Sequence, residues 1–193
     1  MRVIKLCSGK GNGIDTACLM TASNMLIGRG EDGDENSCVC PVLREFIIQT
    51  NDVMPDDLRA ELYGPLVFEI LGTRNDDVEV LRQRALAMAD WAVREIEPIA
   101  LDEAGLKIMA DTLRSLPEIV DRQTADATFA AVADAYATYT ALAVNAVYAA
   151  DPIWRLCPEI ILRVAAIGDL RPKSGFDQSS CVLTVDELAD VLS

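Results

Sequence analysis

The sequence contains no histidine, and that absence removes much of the usual catalytic repertoire. Ser-His-Asp and Cys-His nucleophile systems, imidazole proton relays and the common zinc-enzyme ligand sets all need an imidazole. Any catalysis would fall to Asp, Glu, Lys, Arg, Tyr or Cys. Positive charge is also scarce. Lys and Arg together number 17 against 31 Asp and Glu in 193 residues, a formal net charge of −14. Such a chain is repelled by nucleic-acid backbones and anionic membrane surfaces, so neither is expected as a direct partner. A basic protein partner, or mimicry of nucleic acid, is compatible with the charge. The acidic residues are spread over helix faces, with one dense cluster at 31–36. Long apolar runs are missing too. The N-terminal MRVIKLCSGKGNG has no apolar run long enough for a signal peptide, and no segment has the length of a membrane helix. A cytoplasmic protein is expected, with its six cysteines mostly reduced.

Several motifs are absent in detail. Ser8 to Gly13, SGKGNG, has too few residues between its glycines and no GK[ST], so it reads as a turn and not a phosphate-cradling loop. The acidic loop after Gly28 lacks the register and closing Glu of an EF-hand. Cys38-Val39-Cys40 is Cys-x-Cys, not the Cys-x-x-Cys of a zinc knuckle. Cys7 and Cys18 could complete a four-thiolate zinc set with Cys38 and Cys40. The competing reading is buried thiols, because free cysteine packs as a small hydrophobe. No cofactor is otherwise expected.

What is present is helical periodicity. Asp15 is placed to cap a helix from Thr16 to about Ile27, and Pro41 to start a second with Val42, Leu43, Phe46 and Ile47 buried. Asp76 to Glu97 is strongly helical and ends at Pro98; Asp102 to Leu116 follows, with a glycine inside. Thr124 to Ala150 is alanine-rich and reads as one long helix that spans the domain or pairs with a second copy, so a homodimer through it is a candidate assembly. Pro152 starts a helix through Ile167, and Thr184 with Glu187 makes a capping box for a last helix, Val185 to Leu192. The fold class is mainly α: a multi-helix bundle in a single domain, 1–193. Residues 1–120 form a motif-bearing helical core, and 121–193 supply the alanine-rich helix and the C-terminal helices. A minor strand pair is expected between the termini, Arg2 to Leu6 with Cys181 to Thr184.

The stretch that gathers the most chemistry is 51–74, NDVMPDDLRAELYGPLVFEILGTR. Pro55 suits a helix start, where its missing N–H costs nothing, and Asp56 and Asp57 then sit at the positive end of the dipole. Leu58, Leu62 and Tyr63 make the apolar stripe, Gly64 and Pro65 reset the helix, and Gly72 to Arg74 turn towards Asn75, a candidate cap. Asn51, Asp52, Arg59 and Arg74 fall at element ends, where polar side chains can converge on a ligand. Arg82 and Arg84 interrupt the apolar stripe of the next helix and can pair with Asp52, Asp56 or Asp57, or hold an anion. Against this stands a purely structural reading, in which the same residues are caps and ion pairs.

The segments ACLMTA at 17–22, CVCPVLREFI at 38–47, NDVMPDDLR at 51–59, LGTR at 71–74, RALAMADW at 84–91, and AGL with LPEI within 104–119 resemble a family of uncharacterised helical proteins from phages and actinobacterial genomes. Beyond about residue 120 the likeness is compositional. The resemblance implies a helical fold and a phage-related setting but no reaction.

Three functions compete. The first is a binding protein that captures a small anionic, nucleotide-like ligand through Asn51, Asp52, Arg59, Arg74, Arg82 and Arg84, or inhibits a host defence protein. The second is a metal-dependent phosphoester hydrolase using Asp52, Asp56 or Asp57. The third is an acidic mimic of DNA.

Overall fold

The structure, a computed structural model, describes residues 4–12, 15–28, 36, 38–136 and 151–168. The fold is mainly α, as the periodicity requires. Read above as one domain, the chain groups by its contacts into two compact units, residues 1–76 with 161–193, and residues 77–160.

In the first unit, β1 (Lys5–Leu6) and β2 (Thr16–Ala17) pair in parallel. The expected strand at 181–184 lies outside the described residues. Helices α1 (Leu19–Leu26), α2 (Pro41–Val53), α3 (Asp56–Tyr63) and α4 (Leu66–Glu69) follow. Asp15 does not cap α1. Thr16 and Ala17 are taken by the strand pair, so the helix starts later and Cys18 is its cap, the Cys18 Sγ accepting the Thr21 N–H at 3.3 Å. Pro41 opens α2 and Pro55 precedes α3, with Asp56 and Asp57 in the first turn as the dipole favours. Leu19, Leu43, Ile47 and Ile70 are fully buried where α1 packs on α2 and α4.

The second unit begins with α5 (Val78–Trp91), capped by Asp77, not Asn75: the Asp77 carboxylate accepts from Glu79 N at 2.8 Å, while Asn75 Nδ2 donates to Gly168 O. Pro98 does not end the helix as expected. A π-helical turn at Ala92–Ile96 leads directly into α6 (Glu97–Glu103), which contains Pro98. Proline lacks an N–H and crowds the carbonyl four residues earlier, and a widened turn just before it relieves both problems. Gly105, at φ +76°, then closes α6, and α7 (Lys107–Arg114) starts anew, so the predicted helix across 102–116 is two helices. Val93, Leu101, Met109, Ala110 and Leu113 form this unit's core. Asp121 and Thr124 exchange hydrogen bonds at the start of α8 (Arg122–Tyr136). The rest of the predicted long helix, and the helix at 185–192, lie outside the described residues. The last described helix, α9, is Asp151–Ala166. Among the described residues no helix is long and apolar enough to cross a membrane.

Candidate functional site

Beyond Leu6 and Ala17 the two strands of the first unit diverge, and the buried amide of Asn51 fills the gap. Its Nδ2 donates to Cys7 O at 3.0 Å and its Oδ1 accepts from Leu19 N at 3.4 Å. In a continued parallel ladder those two backbone groups would bond each other; the amide stands in for the missing rung. Asp52, the next residue, accepts the Gly9 N–H at 2.8 Å and so holds the glycine loop. Arg59 is 1% exposed. Its Nε donates to Asn51 O at 2.9 Å, its Nη2 to Met54 O and its Nη1 to Asp56. It therefore satisfies carbonyls that the end of α2 leaves orphaned, and a cation there is also favoured by the helix dipole. The Arg59 bond holds the Asp56 carboxyl below its ordinary range.

The structure thus brings together three of the six predicted ligand residues, Asn51, Asp52 and Arg59, and uses them on backbone. The other three have separate settings. Arg74 pairs with Asp76 at 2.7 Å. Arg82 does not pair with Asp52, Asp56 or Asp57: it grips Glu79 through two bonds, 2.6 and 2.8 Å, which pull the Glu79 carboxyl down to about 2. Arg84 is buried in the second unit. Of the three carboxylates proposed for catalysis, Asp52 binds Gly9 and Asn51, Asp56 binds Arg59, and Asp57 is exposed.

A different concavity lies in the second unit. The buried carboxylate of Asp90 accepts the Ile119 N–H at 2.9 Å and pins the segment after α7 against α5. The two enclose a cleft of about 220 Å³. The Trp91 indole, Leu86 and Val120 give it apolar walls; Gln83, Asp90 and Glu118 give it a polar edge. No arginine or lysine lines it. Asp90 also receives Arg94 at 3.3 Å, whereas Glu118 is exposed and has no partner among the described residues.

No protein-family model, curated protein or solved structure matches the chain.

Cys7, Cys18, Cys40 and Cys157 are free thiols, and Cys38 is disulfide-bonded, which corrects its assignment to a thiolate set. Among the described residues no group of three or more Cys, Asp or Glu could hold a metal ion. Sequence reasoning missed the cleft, although Trp91 and Glu118 fall inside ADW and LPEI, two of the segments singled out above. The missing signal is the Asp90–Ile119 bond, which joins positions 29 residues apart.

Proposed function

We propose that this is a cytoplasmic binding protein whose ligand is a basic segment of a protein partner, taken up by the cleft beside α5. The observation that carries the reading is the lining of that cleft: an indole wall, the exposed Glu118 carboxylate beside an Asp90 already paired with Arg94, and no lining lysine or arginine. An indole face attracts a Lys or Arg head, and a nearby carboxylate pairs with it. An anionic nucleotide would meet repulsion there. The predicted arginines offer it little, because Arg59 and Arg74 in the first unit and Arg82 in the second are already engaged by Asp56, Asp76 and Glu79. Of the two kinds of ligand weighed from the sequence, the protein partner is the better supported. The phage resemblance would make that partner a host defence protein. The net charge of −14 would steer a basic partner in from a distance.

Trp91 is its own reporter, and Trp154→Phe removes the other indole. Titrating W154F with a short amphipathic peptide rich in arginine and leucine should shift the Trp91 emission saturably, and Glu118→Lys should weaken that binding at least tenfold. An acidic peptide of the same length should give no shift. Equal response to both peptides, or an unaffected E118K variant, would refute the reading.

A further inference from the structure

The cysteines at the end of the strand pair form a second arrangement that the binding reading does not use. Lys5 pairs with Thr16 and Leu6 with Ala17 in parallel register, and Cys7 N still donates to Ala17 O at 2.9 Å. The next positions in that register are Cys7 and Cys18. Side chains alternate along a strand, so with Leu6 and Ala17 both buried on one face, Cys7 and Cys18 share the other. Neighbouring strands run about 5 Å apart, within the Cα separation a disulfide spans, about 4.4–6.8 Å. The Asn51 amide opens the backbone only past this point, at Cys7 O and Leu19 N.

The two thiols differ in a useful way. Cys7 is half-buried, and its Sγ lies 3.9 Å from Gly9 O. Cys18 is 4% exposed. It caps α1, an eight-residue helix, with its Sγ 3.3 Å from both Thr21 N and Thr21 Oγ1. Burial, and then the proximity of Cys18, raise the Cys7 thiol above its ordinary range.

We propose that Cys7 and Cys18 are an oxidant-responsive pair, Cys7 taking the modification and Cys18 resolving it as an intramolecular disulfide. With a small-molecule disulfide as oxidant, the Cys7 thiolate attacks one sulfur and expels the first small thiol, leaving a mixed disulfide on Cys7. The Cys18 thiolate then attacks the Cys7 sulfur and expels the second. Two protein thiols are oxidised, one small disulfide is reduced to two thiols, and the two cysteine protons end on those leaving thiols. The product ties the two ends of the glycine loop across Ser8–Ala17.

The test uses the full chain, native, with glutathione disulfide as the probe. Trypsin cuts after Lys5, Lys10 and Arg29, so the pair separates into Leu6–Lys10 and Gly11–Arg29. Without reductant, mass spectrometry should find these two peptides linked in most of the oxidised protein, and forming faster at pH 9 than at pH 7. Cys18→Ser should stop at glutathione on Cys7; Cys7→Ser should leave Cys18 unmodified. If Cys18→Ser does not fold, the wild-type digest decides alone. Wild-type protein that stops at glutathionylated Cys7, links Cys7 to Cys40 or Cys157, or stays unmodified would overturn the assignment.

Discussion

Glu97, at the start of α6, has no hydrogen-bond partner among the described residues, and burial alone lifts its carboxyl from 4.5 to about 7. A carboxyl raised on folding is stabilising while protonated. Its contribution is fully present below pH 4.5, is lost as the pH climbs towards 7, and is absent above. Asp56, Glu79 and Asp121 are shifted the other way by Arg59, by Arg82 and by the Thr124 backbone, so their contributions fade only as acid protonates them, below the window of Glu97. Between pH 5 and 7 the slope should therefore belong to Glu97, at most about 1.4 kcal/mol per pH unit and less where water reaches the group. Urea unfolding at pH 5 and pH 8 should show the wild type weaker at pH 8 and Glu97→Gln nearly indifferent to the change; a variant that keeps the wild-type slope would place the titration elsewhere. At this same scale the sequence is half legible. Asn51, Asp52 and Arg59 announce themselves as polar residues at element ends. Their use does not, because the groups that Asn51 binds, Cys7 O and Leu19 N, lie 44 and 32 residues away.

Elements were readable where a local rule sets them and misread where a distant partner does. Pro41 and Pro55 open helices because proline fits a first turn whatever surrounds it. The Asp15 cap failed because the strand pair claims Thr16 and Ala17, and nothing near Asp15 reveals that Lys5 and Leu6 will lie alongside. That pair depends on its loop. Gly11 sits at φ +71°, and a Cβ there would meet Thr16 O at 2.2 Å; Gly9 has φ +61° but nothing within 4 Å. Gly9→Ala should then cost only the left-handed backbone penalty, about 1–2 kcal/mol. Gly11→Ala must also push the β2 carbonyl away, for roughly 3 kcal/mol or more. Chemical denaturation of the two variants separates these costs. Hydrogen exchange should place the Gly11→Ala damage at Cys7 N and Asn12 N, which donate to Ala17 O and Thr16 O. Equal losses in the two variants would mean that the close approach carries no energy.

For the molecule as a whole, charge sets two effects of salt against each other. The exposed ion pairs Arg74–Asp76, Arg82–Glu79 and Arg122–Asp126 join residues within four positions along the chain. Exposed pairs of this kind contribute about 0.2–1 kcal/mol each, and salt weakens them. The excess of carboxylates, net −14, repels itself through solvent over distances that salt screens well, the Debye length falling from about 30 Å at 0.01 M to about 8 Å at 0.15 M. The long-range term should win, so the melting temperature should rise by several degrees between those two salt concentrations. The same field draws a basic partner in, and there screening removes attraction. Affinity of the Trp91 cleft for an arginine-rich peptide should fall severalfold over the salt range in which the fold gains stability. Melts and fluorescence titrations on one W154F preparation measure both slopes. A melting temperature that falls with salt would show that the short-range pairs dominate the fold. An affinity indifferent to salt would leave the cleft an apolar contact in which Glu118 plays no part.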